Sequence, residues 1–334
     1  MSTQRVRPMN VYVAPQSTAE ASIRSAVTMP QPAELAPGLP ATPAHDLVYN
    51  GGKTIANLNF SNFYVGGAES WQASDMQSID AALAAAMSDQ DLNNVMVQYY
   101  PSGVITSNFL GSQVLPGPKP AVVSQGDVEA LVTSLSDSGA LDAFDLSSTV
   151  VNILLPSGTI LNTNAAPTGN QIRATAVAIP HDAEDSTNGL GGYHGSIHPN
   201  RADQQPAVYY AVGVYSEVLP DGTTNGIPVF EESWKNVVAT FYHELNEART
   251  DADVEDAIRA GNDPNATSFL GWVSPQGEEC GDFPVFEANP LTEVFQEVPL
   301  TDGSGTAPVQ FQYSDAVHGP EGPRDTPAVI SPAS

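Results

Sequence analysis

The sequence predicts an α/β (α+β) domain: one central sheet with helices packed on it. Three observations predict it. Short stretches at residues 58–65, 149–155 and 208–215 read as strands, with 149–155 nearly all apolar and so central. Apolar stripes at helical spacing occur at Met76, Ile79, Leu83 and Met87, and again at Val128, Leu131, Val132 and Leu135. A long amphipathic helix is expected over residues 231–258.

Residues 1–45 are crowded with Pro, Ala, Ser and Thr, including Pro30, Pro32, Pro37, Pro40 and Pro43. They read as an extended or disordered arm. A glycine turn follows at Gly51 and Gly52, before the first central strand at 58–65. Ser74-Asp75-Met76-Gln77 reads as a capping box opening the first helix. Residues 95–100 read as a strand, and Pro116, Pro118 and Pro120 mark a loop. The second helix is expected at 126–136, then strands at 149–155 and 208–215. Between those strands, residues 189–198 read as a Gly-rich loop carrying Tyr193, His194 and His198. A single domain is therefore expected at 46–318, followed by a Pro-rich tail at 319–334. Both termini are candidate contacts for partner chains.

The 334 residues can bury a large core without staples. Cys280 is the only cysteine, so no intrachain disulfide can form. The net charge of −27 reflects 11 Lys and Arg rather than an excess of acids, of which there are 38. Scarce basic residues argue against nucleic acid and anionic membrane surfaces as partners. No apolar run is long enough to insert in a membrane. No apolar segment follows Arg5 and Arg7, so no signal peptide is read, and either a cytoplasmic location or unconventional export is expected.

The chemistry concentrates in residues 237–251. On a helical wheel, Trp234, Val237, Val238, Phe241, Leu245 and Ala248 share an arc of roughly 100°. His243, Glu244, Glu247 and Asp251 share the opposite arc. One face can bury, and the other can present an imidazole and three carboxylates to a cleft. His-Glu-x-x on a helix is the arrangement of zinc peptidases, in which the imidazole binds metal and the next carboxylate is the base. The second histidine of that motif is replaced by Glu247, whose oxygen suits zinc, calcium or magnesium. Glu279 and Asp282, in a Gly-rich turn after the helix, are candidate third ligands. His194 and Tyr193 are candidate stabilisers of an oxyanion. Cys280, beside acids, is expected to have a raised pKa and no nucleophilic role. His45 and His181 lie in polar loops and read as inert, and His318, near the tail, has no clear partner.

A sheet preceding a His-Glu helix resembles the zincin type of zinc peptidase. The order of motifs also resembles the bacterial relatives of the plant EXORDIUM, or phosphate-induced, family. That order runs Gly192-Tyr193-His194, Tyr209-Tyr210-Ala211-Val212, His243 to Asp251, Gly271-Trp272, then Gly277, Glu279, Gly281 and Asp282. The resemblance spans about residues 47–318. It implies a polar cluster of His243, Glu247, Asp251, Glu279 and Asp282, with Glu244 as base. The sequence departs from the family pattern at Ala252, where proline is expected, and in an insertion at 254–265. It also lacks the family's cysteine after Asp282, so a family disulfide cannot form.

Two functions fit these residues. The first is a metal-dependent hydrolase of peptidase type: zinc on His243, Glu247 and Glu279 or Asp251, and Glu244 activating a water that attacks a peptide carbonyl. The second is a non-enzymatic binding or structural protein, whose acids hold calcium or a hydrogen-bond network.

Overall fold

A computed structural model describes residues 11–19, 39–164, 185–199 and 206–322. Most of the N-terminal arm and C-terminal tail, and His181, lie outside the described residues. The central sheet has six strands: β1 (Val11–Val13), β2 (Asn57–Tyr64), β3 (Thr106–Val114), β4 (Thr149–Leu154), β5 (Leu190–Ile197) and β6 (Val208–Gly213). Their spatial order is β1-β5-β6-β4-β2-β3. β6, β4, β2 and β3 run parallel, while β5 is antiparallel to both of its neighbours.

Strand alternation sorts the core into two layers. Phe60, Val150, Leu154, Tyr209 and Ala211 face two helices, α1 (Ala73–Ser88) and α3 (Ser233–Thr250). Phe63, Val151, Ile153, Tyr210 and Val212 face the opposite helix, α2 (Gln125–Asp137). The result is a mixed α/β fold with the sheet as its middle layer. Two further helices, α4 (Val254–Ala260) and α5 (Asp282–Glu287), follow α3. An antiparallel hairpin of β7 (Phe295–Pro299) and β8 (Thr306–Gln310) then packs against α3. Among the described residues no helix is long and apolar enough to cross a membrane.

Several expectations are corrected. Residues 94–99 form a 3-10 helix, not a strand. The Asn93 amide donates to the carbonyls of Ala86, Met87 and Asp89, which coils the chain back onto the end of α1. The capping box expected at Ser74 is absent, because Gln72 precedes α1 without a side-chain cap. A capping box does open α2, through Ser124 and Asp127. The long helix is broken after Thr250: Asp251 leaves helical geometry, its Oδ1 accepts from the Gly271 N–H at 2.7 Å, and the insertion becomes α4. β3 escapes sequence reading because an edge strand needs no apolar run, and most of its residues are polar. The Gly-rich loop is β5, buried along its whole length. Val11–Val13, inside the expected arm, is an edge strand of the sheet.

α3 is the second surprise. From Asn236 to Thr250 every residue is buried, so its polar face meets protein rather than a cleft. Glycines let it lie that close to the sheet. A Cβ on Gly192 would come 2.4 Å from the Val212 carbonyl oxygen and 3.1 Å from Glu244 Oε1. A Cβ on Gly213 would come 3.0 Å from the Phe241 ring. Gly192→Ala is therefore expected to destabilise the fold by about 2–3 kcal/mol, through overpacking against backbone that cannot yield. Urea unfolding of the variant checks this, and an unchanged midpoint would refute so close an approach.

Candidate metal centre

Three separate parts of the chain converge on one enclosed space. α3 supplies His243, Glu244 and Glu247, and Asp251 follows at its end. β5 supplies His194. The turn before α5 supplies Glu279, and Asp282 is the first residue of α5. All seven side chains are buried, six at 0% exposure and Asp282 at 2%. The β alternation explains His194: Gly192, His194 and Ser196 share the face toward α3. By the same alternation Tyr193 points to the opposite face, where its ring meets Tyr210 edge-on at 6.3 Å in the α2 layer. Tyr193 is therefore not brought to the cluster.

Glu247 is the hub. Its Oε1 accepts from the Gly281 N–H at 3.1 Å. Its Oε2 lies 3.0 Å from His243 Nε2 and 3.8 Å from His194 Nδ1. His194 also lies 3.3 Å from Glu244 Oε2 through Nδ1, and 3.5 Å from Glu279 Oε1 through Nε2. Two sets of ligand atoms result, His243–Glu247–Asp282 and His194–Glu247–Glu279, each with its atoms within 4.8 Å of one another. Asp251 and Glu244 belong to neither set.

The hydrogen bonds fix which atoms are available. The Gln310 amide of β8 donates to the Gly281 carbonyl at 2.6 Å, so its Oε1 faces His243 Nδ1, also at 2.6 Å. An amide oxygen only accepts, so His243 carries its proton on Nδ1 and turns the Nε2 lone pair toward Glu247. Between that lone pair and Glu247 Oε2 no hydrogen bond forms, although the atoms are 3.0 Å apart. Glu244 Oε1, Asp251 Oδ2 and both oxygens of Glu279 are likewise buried without a hydrogen-bond partner. Acceptors gathered without donors are what a cation site requires. Gln310 is the kind of outer partner that orients a metal-binding imidazole.

Electrostatics agree. Burial drives the imidazoles down, His194 to about 3 and His243 to about 4, so both are neutral at neutral pH, the form that can bind metal. Burial first, and carboxylate neighbours second, raise Glu244, Glu279 and Asp282 well above their ordinary values. Burial raises Glu247 and Asp251 as well, against backbone N–H bonds that pull the other way. Among the described residues no lysine or arginine pairs with any of these five carboxylates. The buried Arg249 instead donates to the Thr106 carbonyl and to Ser107 of β3. Cys280 is raised as expected, with burial rather than the acids as the larger cause.

Two supporting residues, Gln310 and Tyr12, were missed by sequence reading. Gln310 is one polar residue at the end of an apolar strand and carries no local signal. Gly281 abuts the cluster, where a Cβ would come 2.3 Å from His243 Nδ1. Tyr12 of β1 pairs with Gly192 and lays its ring against His243, with centroids 4.2 Å apart. The Val11-Tyr12-Val13 alternation was a faint strand signal within the arm. Two other histidines, His45 and His318, do have partners. His45 meets Glu278 at 2.6 Å and stacks on Phe283, and His318 meets Asp46 at 2.9 Å.

No protein-family model, curated protein or solved structure matches the chain.

The raised carboxyls give a pH test. A carboxyl whose folded pKa is raised stabilises the fold fully below its unfolded value, 4.5 for Glu and 3.8 for Asp. That contribution is lost as pH rises through the folded value. In chelator, the melting temperature is expected to fall as pH rises from about 4 toward 8. Glu279→Gln, which keeps the shape and removes a buried acid, should melt higher than the parent in chelator at pH 8. The gain should be roughly 2–4 °C per kcal/mol relieved. With divalent metal added, the order should reverse. A Gln variant that melts lower under both conditions would exclude this electrostatic cost.

Proposed function

We propose that the chain is a metal-dependent hydrolase of peptidase type. His243, Glu247 and Asp282 hold a divalent ion, and Glu244 is the general base. The position of Glu244 carries this reading. It adjoins both ligand sets without belonging to either, with Oε2 beside His194 and Oε1 unpartnered. A general base needs an unengaged oxygen at the centre, and Glu244 Oε1, buried without a hydrogen-bond partner one turn before Glu247, offers one. An ion bound there supplies Lewis-acid polarisation of a carbonyl and acidifies water. Glu244 accepts the proton from the attacking water and returns it to the leaving amine. The imidazole donors favour zinc over calcium, which prefers oxygen alone. The antiparallel strand β5 alongside α3 is consistent with a zincin-like arrangement, and the motif order supports kinship with EXORDIUM-type proteins.

The second reading, a non-catalytic centre that ties α3 to β5 and to the 277–282 turn, is favoured by one observation: the seven side chains are closed to solvent. Glu244→Gln separates the two. Under the hydrolase reading the variant retains metal, and its rate on a denatured-protein or peptide pool falls about 100-fold or more. Equal rates in parent and variant would refute the role of Glu244. A parent that binds metal and gains stability from it, yet cleaves nothing in the pool, would favour the structural reading.

A further inference from the structure

The structure points to two metal ions rather than one, bridged by Glu247, and we propose a dinuclear centre of divalent first-row ions. The inference rests on the metal reading above and deepens it. The first ion takes His243, Glu247 and Asp282, and the second takes His194, Glu247 and Glu279.

Three observations carry it. The two ligand sets are both complete to three donors, and they share only Glu247. The bridging carboxylate is also held in place for this role. Its Oε1 is fixed by the Gly281 N–H, which leaves Oε2, without a hydrogen-bond partner, between the imidazoles of His243 and His194. The third observation is charge. Glu244, Glu247, Asp251, Glu279 and Asp282 bring five carboxylates into one buried space. A single divalent ion offsets two of those charges and a pair offsets four, and uncompensated buried charge is strongly unfavourable. One imidazole with several carboxylates per ion is a donor set for Zn2+, Mn2+ or Fe2+, and a carboxylate shared between ions is how two-metal centres are joined. His194 is thereby a ligand rather than an oxyanion stabiliser.

Metal content of the full chain, loaded with Zn2+ and dialysed, tests this. The expected result is two ions per native chain and one in each of His194→Ala and His243→Ala. Glu247→Ala should retain less than one. One ion per native chain, kept in His194→Ala and lost in His243→Ala, would overturn the second site and leave the single-ion reading standing. No bound ion in the native chain would overturn both. A variant that fails to fold does not block the test, because the native chain loaded with Mn2+ answers it by electron paramagnetic resonance. An exchange-coupled spectrum supports the bridge, and the spectrum of isolated Mn2+ at full loading overturns it.

Discussion

The rest of the structure depends on one constraint: five carboxyl groups and two imidazoles share a space that water does not reach. Taking an unpaired carboxylate out of water costs several kcal/mol, so the five cannot all be ionised there without compensation. Protons or cations must enter with them. Protons would leave a network of carboxylic acids, stable in acid and weakening as the pH rises. Cations would convert the same oxygens into ligands.

The fold reaches this arrangement through backbone proximity and rigid partners. Gly192 and Gly213 let α3 settle against β5 and β6, and Gly281 admits the loop beside His243. Gln310 sets the tautomer of His243 from a hairpin remote in sequence. The donors come from β5, α3 and the start of α5, which are distant along the chain. A bound ion would therefore close long loops in the folded state, and its binding free energy would become folding free energy.

β2, β4, β6 and α3 were legible because their signals are local: apolar strand residues and helical spacing. The helix also placed His243, Glu244 and Glu247 correctly relative to one another. The nature of its surroundings was not legible, since amphipathicity normally reports one wet face and here the polar face is buried against β5 and the 277–282 turn. The glycines of β5 misled, because they signal a turn as readily as a close approach of two backbones. Once residues 190–197 are a strand, alternation alone separates His194 from Tyr193. Glu279 and Asp282 entered as loop acids after the helix, but the split of the ligands into two sets needs coordinates. Gln310 and Tyr12 had no signal that linked them to the motif.

Burial and hydrolysis are reconciled if a part of the enclosure that carries no ligand can leave. α3, β5 and the 277–282 turn carry the ligands, so none of them can move without dismantling the centre. Tyr12 covers His243 but belongs to neither ligand set, and it sits on an edge strand joined to β5 by three residue pairs among the described residues. Short edge strands are among the least stable parts of a sheet. With β1 displaced, the free edge of β5 would expose unpaired backbone groups beside His194, able to pair with an extended peptide. Its retention would keep the centre closed and the ions shielded from exchange. Whether β1 stays paired would thus govern access to the centre, a question separate from whether metal binds at all.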